Sequence, residues 1–146
     1  MSSRLFPDVN VWVALHHEIH AHHTAALAWF DTLDLRNTLV FCRQTQLGFF
    51  RLLTTEAVMG DETLTQRQCW MLYRRWISNG KAELMMEPAG VEQAFERRTM
   101  RSTPSPKEWA DAYLAAFAEA GALTLVTLDR ALAAKVKGAV LIRNGE

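Results

Sequence analysis

The sequence predicts an α/β protein, one domain built on a parallel β-sheet of about four to five strands with helices on both faces. Three observations predict it. Short apolar runs at residues 5–8, 38–42 and 123–127 are continuous, as strands buried on both faces require. The stretches between them carry apolar residues at helical spacing. No internal repeat, low-complexity tract or long linker interrupts the 146 residues, a length that suits a single hydrophobic core.

The first strand is expected at residues 5–8, where Pro7 marks a carboxyl end because it cannot donate to a ladder. A short helix at 10–15 and a longer one at 21–33 follow, the second with Ala25, Ala26, Leu27, Trp29, Phe30 and Leu33 as an apolar face at helical spacing. Thr38 to Cys42 forms a second strand, and a helix at 44–54 carries Leu47, Phe50 and Leu53, with Gly48 allowing close backbone approach. Residues 55–64 read as a polar loop and 66–78 as a helix stopped by Asn79-Gly80. A strand at 83–87 and a helix to about residue 100 come next. The break at 102–107 leads into a strong helix start, with Ser105 as N-cap, Pro106 in first position and Glu108 closing a capping box; Gly121 is its stop. Strands at 123–127 and 139–142 flank a small helix at 130–136.

Composition narrows the function. Sixteen basic and sixteen acidic residues cancel, so binding to nucleic acid must rest on a local patch. Arg97, Arg98, Arg101 and Lys107 form the best candidate, and a solvated helix end is its plain alternative. Cys42 and Cys69 match no metal or redox spacing and read as buried thiols. The start of the chain shows no signal-peptide core, and no uncharged apolar run approaches a membrane span, so a cytoplasmic protein is expected.

Three aspartates sit where apolar segments meet loops or helix edges. Asp8 ends the first strand-like run and Asp129 follows the run 124–128; Asp111 lies at the edge of the apolar face of its helix. Residues just past the carboxyl ends of parallel strands line the ligand crevice of an α/β domain. Three carboxylates converging there repel one another and favour a hard divalent cation, which points to metal-assisted phosphoryl chemistry. Singly, Asp111 also reads as an ion pair with Lys107 and Asp129 as a helix N-cap. Asn10 serves as an N-cap or as a second oxygen ligand. His16 and His20 share the i, i+4 spacing of a zinc site, but the group His16, His17, His20, His22 and His23 reads better as a polar interhelical turn. No glycine-rich phosphate loop is present.

Four segments, in order, carry a resemblance: Asp8-Val9-Asn10-Val11-Trp12-Val13-Ala14-Leu15, Thr45-Gln46-Leu47-Gly48-Phe49-Phe50-Arg51-Leu52-Leu53-Thr54, Trp109-Ala110-Asp111-Ala112-Tyr113-Leu114, and Leu125-Val126-Thr127-Leu128-Asp129-Arg130. Together they resemble the PIN domain, and more narrowly the VapC-type toxins of bacterial type II toxin–antitoxin modules. The likeness spans nearly the whole chain and implies one PIN domain over residues 1–146. It implies a Mg²⁺- or Mn²⁺-dependent ribonuclease, a homodimer, and a cognate antitoxin as partner. Asp8, Asp111 and Asp129 fall on the family's first, third and fourth acidic positions, and Asn10 and Thr127 on supporting polar ones. Gln46 stands where the family usually has a glutamate. Its amide accepts a hydrogen bond but brings no charge, which weakens the second of two metal positions.

On this reading Asp8, Asp111 and Asp129 hold the metal, and Glu108 compensates for Gln46 only if its helix start tilts inwards. Arg43, Arg51 and Arg130 are nearest in sequence to the site elements and are expected to meet RNA phosphates. Trp29, Trp70, Leu72, Tyr73 and Trp76 are expected to line a groove for an antitoxin helix or to be core and dimer contacts. The alternative function is a catalytically silent PIN-like module that acts through partner binding, with Gln46 as its warrant. A phosphatase with Asp8 as nucleophile needs a second Asp two residues on, where Asn10 stands.

Overall fold

The apolar runs pair as parallel strands in the computed structural model, which describes residues 3–144. In chain order the elements are β1 (Ser3–Pro7), α1 (Val9–His16), α2 (His23–Asp31), β2 (Asn37–Phe41), α3 (Arg43–Leu53), α4 (Glu56–Met59), α5 (Gln66–Ser78), β3 (Ala82–Leu84), α6 (Val91–Thr99), α7 (Glu108–Gly121), β4 (Thr124–Thr127), α8 (Arg130–Lys135) and β5 (Val140–Leu141). The sheet order is β3-β2-β1-β4-β5, every neighbouring pair parallel. The chain steps outward from β1 through β2 to β3, then returns to lay β4 against the other edge of β1. The switch point therefore falls between β1 and β4, and their carboxyl ends bound the ligand crevice of this topology.

Side-chain alternation splits the core in two. Leu5, Leu39, Phe41 and Val126 pack against α1, α3 and α5, whereas Phe6, Val40 and Leu125 pack against α6, α7 and α8. Adjacent strand residues point to opposite faces, so a sheet covered on both sides needs apolar residues at every position. Stacked rings anchor each layer: Trp12 on Phe41 with centroids 3.9 Å apart, and Phe6 on Phe117 at 5.1 Å. Gly48 is the close approach expected of it. A Cβ there would meet a methyl of Val9 at 2.7 Å, so α3 backs directly onto the residue after Asp8.

Several expectations need correction. The first helix begins at Val9, with Asp8 as its N-cap, so Asn10 is an exposed first-turn residue and caps nothing. Residues 55–64 contain α4 and a 3-10 turn at Gly60–Glu62. Strand β3 lies at Ala82–Leu84, earlier and shorter than expected, because it is an edge strand whose ladder with β2 closes at the Met85 N–H bond to Phe41 O. The capping box of α7 does not form. The helix starts at Glu108 with no side-chain cap, since the Glu108 carboxylate turns to Arg101 and Lys135 instead. Its stop is Ala122, in the left-handed region at φ 53°, and not Gly121. The helix at 66–78 matches its expected bounds, closed by a reciprocal box between Thr65 and Gln68.

Candidate active site

Asp8 leaves β1 at the centre of the sheet and is 7% exposed. Its Oδ1 accepts from the Val11 N–H at 3.1 Å, which caps α1 and fixes the carboxylate at the strand end. Its Oδ2 accepts from the hydroxyl of Thr127, a fully buried residue at the end of β4. The same hydroxyl oxygen accepts from the Asp129 N–H at 2.9 Å. Asp129 in turn caps α8, its Oδ1 accepting from Ala131 and Leu132 N–H at 2.8 and 3.2 Å. Two strand ends thus place two carboxylates on either side of one threonine. Asp111 is supplied half-buried by α7.

The electrostatics tie the three together. Burial pushes the Asp8 carboxyl up to about 6, against the hydrogen bonds from Thr127 and Val11, and the charges of Asp111 and Asp129 push the same way. Asp111 is also raised, first by burial and then by Asp129, with Lys135 opposing. Asp8 therefore feels Asp111 and Asp129, and Asp111 feels Asp129. Among the described residues, no three His, Cys, Asp or Glu side chains are drawn together as a metal cage. The donor set nonetheless fits a hard cation: it is all oxygen, it is repulsive without a counter-charge, and Mg²⁺ needs only one or two direct carboxylates because it keeps much of its water.

The other expected site residues divide. Thr127 is buried at the end of β4 and donates to Asp8. Gln46 points inward, 2% exposed, but its amide oxygen accepts from Arg43 Nη1 one turn earlier on α3. Asn10 is exposed. Glu108 does not replace the missing charge, because Arg101 at 2.9 Å and Lys135 at 3.5 Å occupy its carboxylate. Arg51 and Arg130 are exposed on the helices that follow β2 and β4. Lys135 is the residue that sequence reading missed: it comes from α8, and nothing local marks it as a neighbour of Asp111.

The histidines are structural ties. His16 Nδ1 meets Trp12 O at 2.9 Å and its Nε2 accepts from Trp76 Nε1 at 2.9 Å; His17 binds Glu62 at 2.8 Å and His23 binds Ala14 O at 2.6 Å. Of the large apolar residues expected at a groove, Tyr73 is buried and Trp29, Leu72 and Trp76 are half-buried, which leaves Trp70 exposed.

A family model for the PIN domain matches residues 5–138. The chain belongs to the PIN-domain family. Ribonuclease VapC41 of Mycobacterium tuberculosis, in strains CDC 1551 and H37Rv, is 41% identical over 131 residues, covering 87% of this chain and 90% of the relative. Two solved PIN-like structures share the fold. VapC20 of Mycobacterium tuberculosis, a Sarcin-Ricin loop cleaving toxin, superposes with a TM-score of 0.65 at 19% identity, covering 95% of this chain and 98% of that one. VapBC2 of Rickettsia felis, solved bound to a DNA fragment from its promoter, gives 0.61 at 12% identity, covering 94% and 96%. Within the PIN fold, Asp8, Thr127 and Asp129 stand at the switch point between β1 and β4.

Proposed function

We propose that this chain, as one PIN domain over residues 1–146, is an endoribonuclease and the toxin of a toxin–antitoxin module. The observation that carries the reading is its 41% identity to Ribonuclease VapC41 across 87% of the chain. The site supports it through Asp8 and Asp129 at the switch point, with Asp111 of α7 near enough to act on the charge of Asp8. Asp8, Asp111 and Asp129 hold Mg²⁺ or Mn²⁺. The chemistry a divalent cation would supply there is a lowered pKa for a nearby water and polarisation of the scissile phosphate.

The protein's own part is positioning. Thr127 fixes Asp8 Oδ2 from β4 and holds the Asp129 backbone, so two carboxylates keep their separation when the crevice is empty. Asp129 Oδ1 accepts from the amides of α8, which fixes the carboxylate at the end of β4. Asn10 lies on the exposed first turn of α1, where it supports substrate or bound water. Gln46 contributes an uncharged wall, so the second metal position is the weaker one. Arg51 and Arg130 are available to RNA phosphates.

The partner is a cognate antitoxin; the homologous toxins and the VapBC2 structure support that assignment. A homodimer and residence in the cytoplasm complete the proposal; among the described residues, no helix is long and apolar enough to cross a membrane. Cleavage of RNA with Mg²⁺ or Mn²⁺, abolished by EDTA and by Asp8→Asn, is the expected result. Equal cleavage in EDTA, or full activity in Asp8→Asn, overturns the site. The second reading, a silent module, rests on Gln46, and absence of any cleavage by the native protein with either metal would establish it.

A further inference from the structure

The basic run at residues 97–101 is held against α7 by two clasps. Glu119 of α7 receives Arg97 and, at 3.0 Å, Arg98. Glu108, one helical turn before Asp111, receives Arg101 and, from α8, Lys135. Each clasp sets two cations against one carboxylate and so leaves net positive charge at the surface. Exposed pairs of this kind add little to stability, and the Arg101 and Lys135 side chains are 48% and 47% exposed.

The second clasp opens onto the site. A cleft of about 180 Å³ lies among Arg101, Glu108, Asp111 and Lys135. A groove of about 360 Å³ shares Arg101 and Glu108 with it and runs on between Thr99, Pro104, Pro106 and Trp109. Trp109 is 56% exposed and leans on Phe95 with ring centroids 5.8 Å apart. The aromatic residues further along α7 turn inward: Tyr113 is half-buried and Phe117 is buried. An exposed indole next to tethered cations is the pairing with which proteins hold single strands, cations for the backbone and an aromatic face for the base.

We propose that this groove binds the RNA strand beside the cleaved bond, with Arg101 and Lys135 on a neighbouring phosphate and Trp109 stacked on a nucleobase. Glu108 is the positioning residue: it holds both cations at the rim, so that they do not close onto Asp111 and neutralise it. The proposal rests on the ribonuclease reading above and adds to it the path of the substrate.

The test uses the full chain carrying Asp8→Asn, so that a fluorescent single-stranded RNA is bound without being cut, and reads affinity by anisotropy across a salt series. Trp109→Ala weakens binding by roughly tenfold with an unchanged salt slope, and Trp109→Phe restores most of it, because stacking is not ionic. Arg101→Gln weakens binding and makes the negative slope of log K against log salt shallower by about 0.7, the loss of one single-strand phosphate contact. Melting temperatures of the variants confirm that each is folded. If both variants bind as tightly as the Asp8→Asn parent, while the native protein cuts RNA, the groove is off the path and the nuclease reading stands. If the parent binds no RNA and the native protein cuts none, both readings fall. If Trp109→Ala keeps its RNA affinity but no longer co-purifies with the product of the adjacent gene, the groove is a protein interface and the proposal is overturned.

Discussion

Thr127 donates its hydroxyl proton to the Asp8 carboxylate across the two central strands, 119 residues apart in sequence. The bond ties the ends of β1 and β4 at the switch point and holds a buried carboxylate whose charge Asp111 and Asp129 further disfavour. A group in that position trades stability for chemistry, and its cost is measurable.

Asp8→Asn should stabilise the metal-free protein at pH 7 while it removes activity. The folded Asp8 carboxyl sits at about 6 against 3.8 ordinarily, so the unfolded chain loses this proton first as pH rises. Its stability contribution is full below about 4 and is lost on passing through 6, a swing of about 3 kcal/mol at most. Urea unfolding in EDTA checks this: the variant leads at pH 7, and the gap narrows towards pH 4. A variant less stable than the native protein at pH 7 would show that the Asp8 charge is already compensated.

Gln46→Glu should tighten metal binding only modestly, because the new carboxylate inherits Arg43 as its partner. Adding Arg43→Ala frees that charge and should tighten binding further. Titration calorimetry of native, single and double variants with Mn²⁺ reads the order directly; equal affinities in all three place residue 46 outside the reach of the metal.

His16 is held neutral, its Nδ1 proton on Trp12 O and its Nε2 lone pair on the Trp76 indole. Burial, its largest influence, pulls the pKa below the usual 6.5. The unfolded chain therefore takes up this proton first, and the stability it contributes falls as pH drops below 6.5. Imidazole proton shifts followed by NMR should show His16 titrating lower than an exposed histidine. A normal titration would mean that the Trp76 bond does not hold in solution.

Ala122→Gly should raise stability by about 1 kcal/mol, since Ala122 ends α7 in the left-handed region at φ 53°, where a Cβ is strained and glycine is not. Chemical denaturation measures the gain. The neighbouring substitution Gly121→Ala is the contrast: a Cβ there would crowd Met85 at 3.1 Å and should give no gain.

By itself the sequence determined the fold class, a parallel sheet of four to five strands and the chain positions of the three aspartates. Those signals are local: Phe6, Val40 and Leu125 and their neighbours must be apolar because strands covered on both faces have no solvent side. Helix α5 was legible to the residue because its ends close on themselves, at Thr65 with Gln68 and at Asn79. The start of α7 was not, although Ser105, Pro106 and Glu108 form a good local signal. The carboxylate that would have closed the box met two cations brought from Arg101 and from α8, and ionic partners outweighed one backbone N–H. The same reason separates the site residues. Asp8, Thr127 and Asp129 are visible at their strand ends, whereas the bond from Thr127 to Asp8, the Arg43 bond that occupies Gln46, and Lys135 beside Asp111 depend on which elements the topology sets side by side. Periodicity and capping act within a few residues of chain; the partner that a buried charge finds is decided only when β4 returns to lie against β1 and α7 and α8 close over it.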